Sequence, residues 1–214
     1  MKKILGIVLA AMVLSISSLS VFASDDIEAI DEVCSVVVED RTQSVPEEII
    51  QQLKEENPDA GKIIIYEYGD VQVNEPCIQP RLVRGYSEVV KTYNGYNVYV
   101  EDVFVTSVAK GQNITLQRDW SYTLGCEITG GIDWASLGIN ENLTINISGT
   151  IVFDGPNESD SANCREYRVK FFENQGTYTA KAHDDIAGWI IKVPISGNFK
   201  EPSRYLQYSV DLEI

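Results

Sequence analysis

Residues 113–128, NITLQRDWSYTLGCEI, alternate between apolar and polar side chains over an unusually long stretch. The even positions carry the apolar residues Ile114, Leu116, Trp120, Tyr122, Leu124, Cys126 and Ile128. Arg118 is the single exception on that side of the pattern. Because side chains of a β-strand point alternately to opposite faces, the pattern predicts a strand with one apolar and one polar face.

A second alternating segment, residues 142–154, is its expected partner. Here the apolar residues are Leu143, Ile145, Ile147, Ile151 and Phe153. A strand of 16 residues would extend about 50 Å, so we expect a bend or bulge, with Gly125 as its position. The connection TGGIDWASLGINE is too long for a tight turn and predicts a corner with a short turn of helix.

The rest of the chain after Lys62 also consists of β-branched and aromatic runs separated by turn residues. We predict a β-hairpin at Asn94-Gly95 and turns at Asn174-Gln175-Gly176 and around His183. Such short alternating runs are typical of an antiparallel β-sandwich. We therefore predict a mainly β fold, an antiparallel β-sandwich in a β-rich domain spanning residues 62–214.

The N-terminal part has a different character. Ser44 and Glu47 form a capping box ahead of an apolar face, which predicts a helix over 45–56, whereas residues 27–37 fit a helix or a strand. We expect a small helical N-terminal region at 24–61. Residues 1–23 combine two lysines, an apolar run and a small-x-small ending, which indicates a signal peptide cleaved near Ala23 and a secreted or cell-envelope protein.

The net charge limits the partners. The chain has 17 basic and 32 acidic residues, and loss of Lys2 and Lys3 with the signal peptide changes the formal charge from -15 to -17. An acidic surface repels phosphate backbones and anionic headgroups, so we expect no nucleic-acid partner. An extracellular protein or a glycan is the expected partner.

Four cysteines, Cys34, Cys77, Cys126 and Cys164, lie in the exported part, without the spacing of a zinc site. Disulfides are the default outside the cytosol. Sequential pairing, Cys34 with Cys77 and Cys126 with Cys164, is our preference among the three connectivities.

The chemistry of the chain is sparse, and we expect no enzyme: His183 is the only histidine, and no GxSxG motif is present. We also expect no cofactor; Asp154, Asn157 and Asp160 in the loop DGPNESD offer oxygen ligands for calcium, but they lack the EF-hand spacing, and a solvated turn is the preferred explanation. Trp134 and Trp189 lie next to turns and are the candidates for contacts with a sugar.

Three roles follow from these patterns. A non-catalytic binding or cell-surface role is the preferred one, and a carbohydrate-binding module is an alternative. The other alternative is a β-pore in which residues 113–154 insert into a membrane. Against insertion stand Arg118 on the lipid side, Trp120 and Tyr122 in mid-strand, and the tether that a Cys126–Cys164 disulfide would form.

The order of alternating strand, SLG corner and second alternating strand, at about residues 113–153, resembles small secreted proteins of unknown function from Gram-positive bacteria. The resemblance covers about a fifth of the chain. It implies an extracellular bacterial protein and assigns no active-site residue.

Overall fold

A computed structural model describes residues 34–38, 45–70, 85–186 and 189–214, with side chains 184–190 excepted. All of these residues belong to one compact unit, Glu32–Ile214. The predicted signal peptide 1–23 and Cys77 lie outside the described residues. No helix in the described ranges is both long and apolar enough to cross a membrane.

The prediction of a mainly β fold is confirmed. The elements are β1 Ser35–Val38, α1 Glu47–Glu56, β2 Ala60–Asp70, β3 Tyr86–Ala109, β4 Asn113–Thr115, β5 Trp120–Gly125, β6 Glu127–Ile128, α2 Trp134–Leu137, β7 Asn142–Ile147, β8 Val152–Asp154, β9 Cys164–Ile186 and β10 Trp189–Leu212. One sheet has the order β1-β2-β10-β9-β3, with β6 also pairing with β10. Two further sheets, β4-β8 and β5-β7, have two strands each.

Three strands are far longer than is usual. β3 and β10 have 24 residues and β9 has 23, so each extends roughly 75 to 80 Å, whereas strands commonly have about 5 to 6 residues. β9 is paired along its whole length with β10 and over most of it with β3, both antiparallel. The centre of the fold is therefore a long ribbon of three strands.

The turns predicted at Asn94-Gly95 and at residues 174–176 are wrong, because both segments lie inside continuous strands. They face each other: Gly95 lies opposite Gln175, and Tyr93 opposite Gly176. The register of β3 shifts on both sides of Gly95, so its turn-forming residues make bulges. At Gly176 a Cβ atom would lie 2.4 Å from the carbonyl oxygen of Thr92, so glycine here permits close backbone approach.

Different elements cover the two faces of the long sheet. On one face α1 contributes Leu53 to a buried cluster with Ile63, Ile65, Phe172 and Leu206. On the other face the short strands β4, β5, β7 and β8 pack against the alternate residues of β9, including Val169 and Phe171. A third cluster, around α2, lies against the opposite end of β9 and β10. The small sheets thus form a second layer over part of the long one.

The predicted pairing of 113–128 with 142–154 is confirmed by the β4-β8 and β5-β7 pairs. The first segment is not one strand, however, and its main break is at residues 116–119, ahead of the expected position Gly125. The predicted helical corner is α2, which Asp133 caps by accepting a hydrogen bond from the Ser136 amide at 2.8 Å. Gly138 ends it with a φ of 65°, a left-handed conformation that favours glycine.

The predicted Cys126–Cys164 disulfide is wrong, because both thiols are free. Cys126 is next to Glu127, which pairs with Lys200 of β10. Lys200 in turn pairs with Gln175 of β9, and Gln175 is eleven residues along β9 from Cys164. That separation is roughly 35 Å, far beyond the reach of a disulfide. Cys34 has no disulfide partner among the described residues, and its expected partner Cys77 lies outside them.

Candidate functional site: a hairpin folded back on the long sheet

The β3-β9 pair does not end where the long sheet ends. After Ala109 and Cys164, the amide of Lys110 donates to the carbonyl of Asn163 at 2.9 Å. The other strand then makes an excursion over residues 157–162, and the ladder resumes. Its next bonds are Gly111 N to Pro156 O and Gly155 N to Gln112 O, both 2.9 Å, followed by the β4-β8 pairs. Residues 111–125 and 142–156, which we call the docked hairpin, are therefore a continuation of the β3-β9 pair.

The two paired parts of the docked hairpin share one register. Thr115 pairs with Val152, and Trp120 pairs with Ile147, with four residues between them on each strand. Within this break the Asp119 carboxylate accepts a hydrogen bond from the Gly149 amide at 2.7 Å. The docked hairpin is thus a single ladder of thirteen positions, from Asn113 to Gly125, with an unpaired middle.

The apolar row of the docked hairpin faces the long sheet. Leu143, Ile145 and Ile147 are buried there, and the ring of Tyr122 lies 5.2 Å from that of Phe171. The ring of Phe153 meets Tyr167 edge-on at 4.8 Å. Burial of this row is the main attraction between hairpin and sheet.

The polar row faces solvent along its whole length. All fourteen of its positions are exposed: Asn113, Thr115, Gln117, Asp119, Ser121, Thr123, Gly125, Asn142, Thr144, Asn146, Ser148, Thr150, Val152 and Asp154. Val152 and Gly125 are the two positions of the row without a polar side chain. The amphipathicity predicted from the sequence is therefore present in the folded chain.

Few polar bonds fasten the docked hairpin to the sheet. Its strands pair only with one another, and among the described strands the next backbone ladder to the sheet is that of β6 at the tip, with two residue pairs to β10. The Tyr122 hydroxyl donates to Glu101 Oε1 at 2.7 Å, which together with burial raises the pKa of Tyr122. The Tyr167 hydroxyl donates to the Asp154 carbonyl at 2.8 Å. The hairpin could therefore leave while the β3-β9 and β9-β10 ladders stay intact, provided that the tip, residues 126–141, gives up its own bonds to β10, namely the β6-β10 pairs, Thr129 N to Asn198 O at 3.0 Å and Asn140 N to Glu201 Oε2 at 3.3 Å.

A cavity of about 380 Å³ lies beneath the break. Ile147 and Phe153 of the hairpin and Val169 of β9 contribute to its apolar wall. Its Arg165 forms a buried two-bond ion pair with Asp211, at 2.5 and 2.8 Å, and this pairing raises the pKa of Arg165. The hairpin therefore packs incompletely against the sheet at its middle.

The structure does not bring the calcium candidates together as ligands. Asp160 Oδ2 accepts hydrogen bonds from the backbone and side-chain amides of Asn157, at 3.0 and 3.3 Å, as in a self-contained turn. Asp154 lies on the exposed row of the docked hairpin. No cluster of three metal-ligating side chains of the His, Cys, Asp or Glu type occurs within the described residues.

The sugar-contact candidates lie in different elements. Trp134 is the first residue of α2 and is partly buried against the third cluster. Trp189 begins β10, and its side chain lies outside the described part. Contact of either tryptophan with a sugar stays a prediction.

His183 lies within β9, so the turn predicted there is wrong. Its Nε2 is 2.8 Å from the hydroxyl of Ser87 on β3, a cross-strand pair that the sequence did not indicate. Among the described side chains, no carboxylate accepts a hydrogen bond from the other ring nitrogen, so the orienting member of a serine triad is missing there. A polar cross-strand contact accounts for the pair.

No family model matches the chain, and no curated protein and no solved structure matches it either. The function is therefore inferred from the geometry of the chain itself.

Proposed function

We propose that the protein forms pores and that the docked hairpin is its membrane-inserting segment. One observation carries the proposal: the docked hairpin, which has a single register of its own, continues the β3-β9 pair beyond the 157–162 excursion, but is folded back so that its apolar row is covered by the sheet. Unfolded from the sheet, it would prolong the long ribbon by thirteen amphipathic positions. A membrane-spanning strand needs about 9 to 11.

Insertion exchanges one apolar environment for another. In solution the sheet covers Ile145, Phe153 and their neighbours, and in the membrane the acyl chains would cover them. A lone hairpin has two unpaired edges, which a bilayer does not tolerate, so several copies must close a ring. The polar row would then line water.

Two objections from the sequence lose force in this geometry. The disulfide that would have tethered the hairpin is not formed, since Cys126 and Cys164 are free. Arg118 lies in the unpaired break and is exposed, and its cross-strand position is that of Gly149, where a Cβ atom would lie 2.9 Å from the Arg118 carbonyl carbon. Its long side chain can extend along the strand toward the interface, which lowers the midplane cost of about 2 to 4 kcal/mol per copy but does not remove it.

The proposal includes release from the cell after cleavage near Ala23, consistent with the signal-peptide pattern. A binding role at a cell surface stays a prediction, and attachment to a target surface would be its first step. That the protein is not an enzyme and needs no cofactor also stays a prediction.

A cross-link between hairpin tip and sheet tests the proposal. Glu127 and Lys200 lie directly opposite each other, and both are well exposed, so the pair Glu127→Cys/Lys200→Cys can form a cross-strand disulfide at little cost in packing. We expect the oxidised variant not to release dye from phosphatidylcholine vesicles. Reduction should restore release to the wild-type level.

The matched control places a disulfide inside the docked hairpin. Thr123 and Thr144 pair directly, with hydroxyl oxygens 2.8 Å apart, so Thr123→Cys/Thr144→Cys ties the hairpin to itself and leaves it free to move. This oxidised control should release dye. Equal release from the oxidised tip-locked variant, or none from the wild type, would overturn the proposal.

A further inference from the structure

The exposed row of the docked hairpin carries charge of one sign only. Its fourteen positions include two carboxylates, Asp119 and Asp154, and no lysine, arginine or histidine. The two residues that follow at the tip, Glu127 and Asn140, add no positive charge. The only basic side chain in the paired segments, Arg118, is on the opposite row.

The two aspartates lie at different levels. Asp154 pairs with Asn113 at the end next to the long sheet, whereas Asp119 lies in the break, six positions further along. In a closed ring of hairpins, each level would repeat its carboxylate once per copy. Two separate rings of negative charge would then follow each other along the water-filled passage.

Such rings select ions by sign. Rings of Asp or Glu side chains are a feature of cation channels, because they lower the energy of a cation in the narrow passage and raise that of an anion. The formal charge of the whole chain, -15, has the same sign and raises the cation concentration at the entrance.

We infer that the pore is selective for small monovalent cations over anions, with Asp119 and Asp154 as the residues that determine selectivity. The inference rests on the proposed function, since it assigns an ion class to the same hairpin. The rest of the polar row, mostly amide and hydroxyl side chains, favours neither sign.

Reversal potentials in planar bilayers test the inference. Wild-type protein is added to a phosphatidylcholine bilayer that separates concentrated from dilute KCl, and the permeability ratio of K⁺ to Cl⁻ is taken from the voltage of zero current. We expect a ratio well above 1. Asp119→Asn/Asp154→Asn should bring it close to 1, and Asp119→Lys/Asp154→Lys should invert it.

The charge-matched control is Glu158→Gln/Glu213→Gln, which, like the double asparagine variant, removes two negative charges, here from exposed side chains outside the polar row. It should keep the wild-type ratio. A wild-type ratio of 1 or below, or an unchanged ratio in the double asparagine variant, would overturn the inference while the conductance itself still supports a pore. Absence of any conductance would instead overturn the proposed function.

Discussion

The long sheet and the docked hairpin are built from the same kind of amphipathic strand, but they are held in different ways. In the long sheet, β9 is paired on both sides, so most of its backbone groups bond to neighbouring strands. In the docked hairpin, each strand has one backbone partner, and packing of side chains supplies most of the attachment. Stability in this chain is therefore expected to be uneven.

Because the two regions are held differently, opening of the long sheet and detachment of the docked hairpin can be separate events, whereas a more uniform fold would couple them. Opening the long sheet breaks backbone ladders and the cluster that includes Leu53, Phe172 and Leu206. Detaching the hairpin exposes the cluster around Ile145 and Phe171 and breaks the bonds at Tyr122 and Tyr167 and the bonds of the tip to β10, while the β9-β10 ladder stays formed. The hairpin should therefore open at lower free energy than the whole chain unfolds.

The largest loss of stability is expected from a substitution in the core of the long sheet. Phe172 is 1% exposed and lies edge-on to Tyr68 on the face that α1 covers. Phe172→Ala should lower the free energy of unfolding by about 3 to 5 kcal/mol, through lost burial and a residual cavity. Urea unfolding measures this loss, and hydrogen exchange at residues 120–125 should keep its wild-type rate. Faster exchange there by the same factor as in β9 would show that the two regions open together.

The sequence predicts the docked hairpin better than it predicts the long sheet. Strict alternation, with Leu143, Ile145 and Ile147 on one side, determined its pairing, because a shift of one residue would expose the whole row. The long strands were missed because Asn94-Gly95 and Gly176 are typical turn residues locally. In the fold they lie level with each other, and the ladders of the neighbouring strands continue through them.

The fold-back of the hairpin could not be predicted from the sequence either. It depends on the excursion 157–162 and on Gly111, whose φ of 67° is left-handed, and neither has a periodic pattern. The break at 116–119 was hidden as well, because alternation is continuous there apart from Arg118. Which face of the sheet receives the apolar row is a matter of tertiary packing.

A smaller effect is expected from substitution of Arg118, and it should appear in membrane insertion and not in the stability of the folded protein in solution. In solution this residue is exposed in the break, so Arg118→Leu should change the free energy of unfolding by no more than about 0.5 kcal/mol. On the lipid side an arginine near the midplane costs about 2 to 4 kcal/mol per copy. The variant should therefore release vesicle dye at lower protein concentration than the wild type. Arg118→Lys, which keeps the charge, should not, and an unchanged threshold for Arg118→Leu would mean that this row does not face lipid.

The smallest effect concerns the bond between Tyr122 and Glu101. Tyr122→Phe removes the hydroxyl and leaves the contact between its ring and that of Phe171, so the free energy of hairpin opening should fall by about 1 kcal/mol. The hydrogen bond raises the pKa of Tyr122 above the ordinary value of 10.0, which means that its contribution is complete below pH 10.0 and is lost as the phenol ionises at higher pH.

Two measurements check both parts of this prediction. Hydrogen exchange at residues 120–125 at pH 7 should be about fivefold faster in Tyr122→Phe than in the wild type if each amide exchanges through hairpin opening. In urea unfolding, the stability difference between the two proteins should shrink as the pH rises from 7 to above 10. A difference that persisted through ionisation would assign the effect to altered packing instead. In that case the Tyr122 hydroxyl does not stabilise the docked state, and burial of the apolar row alone holds the hairpin on the sheet.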